Sequence, residues 1–368
     1  MNRIARRTLL QGAAAVGVAG ACARFAPLRA QSRTEPYACP PCGCAADGEE
    51  FDGPGRCPAC GMTLEPKNPP FEPAELAPAG SLFLTSGGIG HESTRVGVHT
   101  YLPETHTPRS PILLVIPGDG RNGAEYRDAW IEAADETGVL VAALSYAEAD
   151  YDFAAYQMGG IIKDLAVENM PVGPDGETPA IVRLREEDIS FNPNPRPETW
   201  LFRDFDRIFG LLASATGSER ASYDLFGHSA GGQILHRAVL FNPRSRADRV
   251  IAANAGQYTQ PDLDLPLPFG MKDTGMTETS LAGSFACELT LLLGEEDDNA
   301  DAGGTLLRTP QLDEFGIYRL ERGRIFFAAA ERRARALGAD FNWALETVAN
   351  VGHDFPAMSR VAARKLYG

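Results

Sequence analysis

Six residues, Gly227-His228-Ser229-Ala230-Gly231-Gly232, carry the spacing G-x-S-x-G, in which a serine is held at a sharp turn between a strand and a helix. Such a turn strains the backbone of the serine, and positions two residues to either side must lack side chains, as Gly227 and Gly231 do. A serine hydroxyl becomes a nucleophile only when a base takes its proton and an acid orients that base. His353 is the expected base, because Gly352 breaks the last apolar run and delivers the histidine to a loop. The other histidines compete poorly: His91, His99 and His106 come too early, His236 falls on the helix after Ser229, and His228 occupies the variable position of the motif. The acid is expected in Gly294-Glu295-Glu296-Asp297-Asp298, directly after an apolar run. Asp297 is the choice, since three residues past the glycine a carboxylate can return toward the strand end; Asp298 and then Asp262 are the alternatives. The order Ser229, Asp297, His353 differs from both protease orders.

Acyl transfer also needs donors for the oxygen that becomes negative in the tetrahedral intermediate. The turn Pro117-Gly118-Asp119-Gly120-Arg121-Asn122 is placed for this, with the backbone N–H of Asp119, or alternatively Gly118, acting beside that of Ala230. Gln257 and Tyr258, at the exit of another apolar run, are expected to line the substrate pocket.

The elements that must hold these groups read as alternating strands and helices. Strands are expected at 96–102, 112–116, 139–146, 223–226, 250–255, 288–293 and 343–351, and a helix at 126–137 with Tyr126, Trp130, Ala133 and Ala134 on one face. A helical stripe from Trp200 to Leu212 precedes the serine strand, and Pro243 ends the helix that follows it. A mostly parallel α/β sheet with helices on both faces follows from this alternation. The fifty or so residues between Tyr146 and Trp200, with six prolines, are too many for a plain loop and are expected to form a lid or pocket wall.

A second chemistry lies near the start. Six of the seven cysteines fall in the first sixty residues, and Cys39-Pro40-Pro41-Cys42 and Cys57-Pro58-Ala59-Cys60 are two C-x-x-C knuckles. Each brings two sulfurs to one side of a turn, so Cys39, Cys42, Cys57 and Cys60 spell a four-thiolate zinc site. Disulfides or a redox pair are the alternatives. Four thiolates leave no open position for substrate, so the zinc is expected to be structural and hydrolysis of a small ester to proceed without the module.

Met1 to Ala30 holds five arginines and no acid around an apolar stretch too short to span a membrane, and reads as a twin-arginine export signal. A periplasmic or secreted location and no stable membrane span follow, although Cys22 faintly matches a lipoprotein cleavage site. Losing residues 1–30 takes the formal charge from −15 to −20, which excludes nucleic acid as a natural partner. The chain is thus divided into the signal (1–30), the metal module (37–66), a proline-rich linker (67–80) and the catalytic domain (81–368).

Two resemblances extend this reading. Residues 37–66, above all Pro54-Gly55-Arg56-Cys57-Pro58-Ala59-Cys60-Gly61-Met62, resemble the small heavy-metal-binding domain of bacterial metal-efflux proteins, departing from it at Cys42, where a histidine is usual, and in the added Cys44. From Ser81 onward the chain resembles α/β-hydrolase fold serine esterases of the polyhydroxybutyrate depolymerase and feruloyl esterase type. The residues carrying this are Gly118 to Asn122 with Tyr126, the serine motif, Asn254-Ala255-Gly256, Leu293 to Asp297, and Val351 to Asp354. The resemblance implies cleavage of small or polymeric esters, aryl esters included, through an acyl-enzyme and without a catalytic cofactor. A peptidase or amidase, or a metal-binding protein on an inactive hydrolase scaffold, are the competing readings.

Overall fold

The computed structural model describes residues 36–40, 44–173, 176 and 178–368; the expected leader, Cys22 and Cys42 lie outside them. An eight-stranded sheet is built from β1 (Ala79–Ser86), β2 (Arg95–Leu102), β3 (Ile112–Ile116), β4 (Leu140–Tyr146), β5 (Tyr223–His228), β6 (Ala247–Ala253), β7 (Glu288–Gly294) and β8 (Ala344–Val348). Its spatial order is β8-β7-β6-β5-β3-β4-β2-β1. The pairs β1–β2 and β2–β4 are antiparallel and the remaining five are parallel.

Period-two alternation in the central strands explains how both faces are covered. Ile112, Leu114 and Ile116 of β3 pack on one side with α3 (Asp204–Thr216), α4 (Ala230–Phe241), α5 (Glu278–Phe285) and α6 (Arg319–Leu337). Leu113 and Val115 point the other way, to Tyr126 of α1 (Gly123–Asp128), Ala134 of α2 (Ile131–Thr137) and Met358 of α7 (Phe355–Tyr367). Strand β3 hands its chain to β4 on one side, while β5 lies on its other side, so a crevice opens where the connections part, at the carboxyl ends of β3 and β5. The turn Pro117–Asn122 and Ser229 both emerge there.

The expected single helix at 126–137 is two. Ala129 closes α1, and Trp130, at φ −111°, ψ 0°, starts α2 on a new axis. The break lets the Trp130 indole bury completely, edge-on to Phe226 with centroids 5.1 Å apart. The segment expected as a linker pairs with the edge of the sheet: Phe71 bridges Leu84, and Glu72 N–H donates to the Leu84 carbonyl. Between β4 and α3, Ile162–Val167 pairs antiparallel with Ile189–Pro193, and Ile181–Arg183 pairs parallel with Leu306–Arg308.

In the metal module, Tyr37–Ala38 is flanked by Glu50–Phe51 and Glu65–Pro66 in a three-stranded sheet of two-residue strands. No helix among the described residues is long and apolar enough to cross a membrane.

Candidate active site

Ser229 stands between β5 and α4 at φ 58°, ψ −117°, a conformation that an L-residue reaches only under strain. Its surroundings enforce it. A side chain at Gly231 would overlap the Ile116 carbonyl, and one at Gly227 would come within 2.5 Å of the Gly231 carbonyl oxygen. The backbones of β3, β5 and α4 thus close on the serine from both sides. Every residue of α4 is buried.

His353 Nδ1 donates to Asp297 Oδ2 at 2.8 Å. Asp297 is almost fully buried, whereas Glu295, Glu296, Asp298 and Asp262 are exposed. Asp262 is spent on its own turn, where its carboxylate accepts from the N–H groups of Asp264 and Leu265. Burial pushes the His353 pKa below the usual value, with the Asp297 hydrogen bond opposing, so the ring is neutral at pH 7. Ser229 and His353 line one cavity of about 580 Å³. Asp119, Ala230 and Gln257 line it as well.

Tyr258 does not line this cavity, contrary to the sequence expectation. It is buried in the core, stacked on Phe326 at 4.7 Å and tilted against His236, because the chain after β6 turns its ring under α4 and α6. The cavity wall comes instead from the segment after β4: Phe153, Leu165, Val167, Val182, Leu184 and Ile189 make it largely aliphatic.

Several positioning groups escaped the sequence reading. Arg319, at the start of α6, donates from Nη1 to Asp297 Oδ1 at 3.0 Å and from Nη2 to the Thr305 carbonyl. The carboxylate is thereby held from two sides. Asn254 joins the two loops that carry acid and base, accepting from Gly294 N–H at 2.8 Å and donating to the Gly352 carbonyl at 2.9 Å. Gln157 donates to Asp119 Oδ1 at 2.5 Å and accepts from Gln233 on α4 at 3.2 Å. The Tyr126 hydroxyl lies 3.2 Å from His228 Nδ1; burial pushes its pKa up, opposed by a backbone hydrogen bond from Gly118. Asn254 was in view as part of a motif; for Arg319 and Gln157 no local signal existed.

The thiol groups of Cys39, Cys44, Cys57 and Cys60 form the other chemical cluster, their sulfurs all within 4.8 Å of one another. Cys44, expected to be additional, belongs to it. Separations of 3.4 Å for Cys39–Cys60 and 3.8 Å for both Cys44–Cys39 and Cys44–Cys57 bracket the edge of about 3.8 Å that metal–sulfur bonds of about 2.3 Å make in a tetrahedron. Burial pushes the Cys57 thiol up, but hydrogen bonds from the backbones of Cys60 and Ala59 and from the Cys39 and Cys60 thiols outweigh it and bring it to about 7. A thiolate donor set of this shape fits a heavy metal ion.

Residues 37–67 match the heavy metal binding domain family. Among solved structures, poly(aspartic acid) hydrolase-1 from Sphingomonas sp. KT-1 is similar over 80% of this chain and 100% of its own, at 35% identity and a TM-score of 0.67. LpqC, a poly(3-hydroxybutyrate) depolymerase from Bordetella parapertussis, is similar over 79% of this chain and 91% of its own, at 29% identity and a TM-score of 0.66. No curated protein matches the sequence.

Proposed function

The chain belongs to the α/β-hydrolase family, and from that premise we propose that it is an exported serine hydrolase that cleaves aliphatic carboxylic esters, polyesters included. The observation that carries this is the strained Ser229 sharing a largely aliphatic cavity with a neutral His353 whose Nδ1–H is bound to buried Asp297. Ser229 Oγ attacks the ester carbonyl while His353 Nε2 takes its proton. Asp297, itself held by Arg319, keeps the imidazole in the tautomer that accepts there. The carbonyl oxygen turns toward the N–H groups of Asp119 and Ala230, each such donor contributing on the order of a hundredfold to the rate. His353 then protonates the leaving alcohol, and water repeats the sequence to free the acid.

The thiolate cluster is proposed to hold one zinc ion, which when bound cross-links the module's turns. Export follows from the twin-arginine pattern at Arg6-Arg7, and recovery of the protein with the cytoplasmic fraction would remove that part of the reading.

A second reading, amide cleavage, is favoured by the 35% identical relative being a poly(aspartic acid) hydrolase and by Arg121, the one lysine or arginine among the described cavity residues. Hydrolysis of aryl esters of graded acyl length, 3-hydroxybutyrate oligomers and poly(aspartic acid), with Ser229→Ala as the blank, decides between them. Aliphatic esters are the expected substrates; release of product from poly(aspartic acid) alone would replace ester by amide.

A further inference from the structure

The metal module and the oxyanion loop are joined by partly buried polar contacts that ester hydrolysis does not itself require. At the centre is Ser145, near the end of β4. Its Oγ donates to the Arg121 carbonyl at 2.8 Å, accepts from the Gly123 N–H at 3.1 Å, and lies 3.1 Å from His99 Nε2. A hydroxyl has one proton and two lone pairs. With the proton given to Arg121 and one lone pair taken by Gly123, the other receives a proton from His99, which fixes that ring as the Nε2–H tautomer. Burial, and secondarily the Arg127 charge, holds the His99 pKa down to about 3, so the ring is neutral. Within 3.4 Å of the same nitrogen lies Glu65 Oε1, on the module's strand Glu65–Pro66.

A second contact runs alongside. Thr63 N–H donates to Glu125 Oε1 at 2.8 Å, and Glu125 precedes Tyr126 on α1. Both contacts therefore end on residues 121–126, directly after Asp119. This stretch needs external support: Arg121 sits at φ 52°, in the left-handed region that a residue with a side chain adopts only under strain. Gly123 is so closely held that a β-carbon there would overlap both His99 and Ser145. On the module side, Leu64 packs with Cys39 and Cys57 in a small core, so Glu65 is anchored next to the thiolate cluster.

We propose that Glu65, His99 and Ser145 are positioning residues for the oxyanion loop, and that the heavy-metal module through them sets the turnover of the hydrolase. This rests on the oxyanion role given above to Asp119. It also revises the expectation that small esters are cleaved equally well without the module.

The test uses the full chain and a short soluble ester. Ser145→Ala and Glu65→Leu should lower kcat on the order of tenfold with KM within about twofold, since misplacing an oxyanion donor affects the transition state more than the bound ester. Glu65→Gln, which keeps an acceptor oxygen, should restore most of kcat. Glu50→Gln, on the module surface where Glu50 pairs with Lys67, should leave kcat unchanged. Independently of activity, hydrogen exchange at the amides of 119–126 should speed up when the metal is chelated and in Glu65→Leu. Wild-type kcat in folded Ser145→Ala and Glu65→Leu, or exchange at 119–126 indifferent to chelation, would overturn the coupling. A wild-type protein without esterase activity would sink the proposed function instead, and the exchange measurement would still decide the coupling.

Discussion

Among its described residues the metal module buries four well, Cys39, Ala46, Cys57 and Leu64, and two of these are themselves thiols of the cluster. The catalytic domain packs two large clusters against opposite faces of an eight-stranded sheet. Ordering about thirty residues costs far more conformational entropy than burial of so few side chains returns, so ligation must hold the module together. The fold of the hydrolase rests on packing, with only residues 121–126 leaning on the module. One region would fix its geometry by bonds to an ion and the other does so by packing, and the two should therefore fail under different insults.

The largest effect expected is on chemistry alone. Ser229→Ala should lower kcat by on the order of 10⁵-fold while bound metal per chain stays that of wild type. Metal loss in that variant would show that the two regions are not separately held. Next, Asp297→Asn should cost roughly 10⁴-fold, because the tautomer of His353 is no longer enforced, whereas exposed Asp298→Asn should be silent. Equal, mild losses from both would move the acid to another strand. Third, Gly231→Ala should destabilise the catalytic domain by about 3 kcal/mol in urea unfolding, since its β-carbon meets backbone of β3 that cannot yield. A thiol titration under native conditions should be unaffected by that change. Fourth, chelation should expose the module's thiols to reagent and leave the main unfolding transition within a few degrees of its original midpoint; collapse of the whole chain would mean that both regions hang on the metal.

The smallest effect concerns pH. His353 acts as a base only when deprotonated, and burial lowers its pKa, so kcat/KM should be flat at neutral pH and fall only below about 6.5. Asp297 opposes that lowering, and the residual activity of Asp297→Asn should lose its rate at still lower pH. A pH–rate profile for both proteins gives the comparison.

What could be read in the sequence was whatever is encoded locally. Gly227 and Gly231 flank Ser229 at fixed offsets, the apolar runs alternate with helical stripes, Asp297 comes three residues after Gly294 at the end of β7, and His353 comes after Gly352 in the loop beyond β8. The cysteine knuckles announce themselves by spacing, yet spacing did not include Cys44 among the donors, because a fold of the chain rather than an offset brings its sulfur to Cys39 and Cys57. Arg319 reaches Asp297 from the head of a distant helix, and Gln157 reaches Asp119 from the cavity wall. His99 was set aside as too early in the chain, although pairing of β2 with β4 puts it beside Ser145. Tyr258 shows the converse: its position after β6 pointed to the pocket, and only the packing of α4 and α6 turned it inward. Pairing between segments far apart in the chain leaves no periodic trace in either one.

Helix α4 lies entirely within the protein, from Ala230 beside the nucleophile to Phe241. Its aligned peptide groups place about half a positive charge at the end where Ser229 sits, where Ala230 and Gln233 face the cavity while the rest of the helix is packed in protein. An oxyanion formed from an ester carbonyl would therefore meet a field that is already in place and only weakly screened by salt. Added salt would act on the outer ion pairs and on the approach of charged substrates, while the acylation step itself would run at nearly the same rate in dilute buffer and in brine.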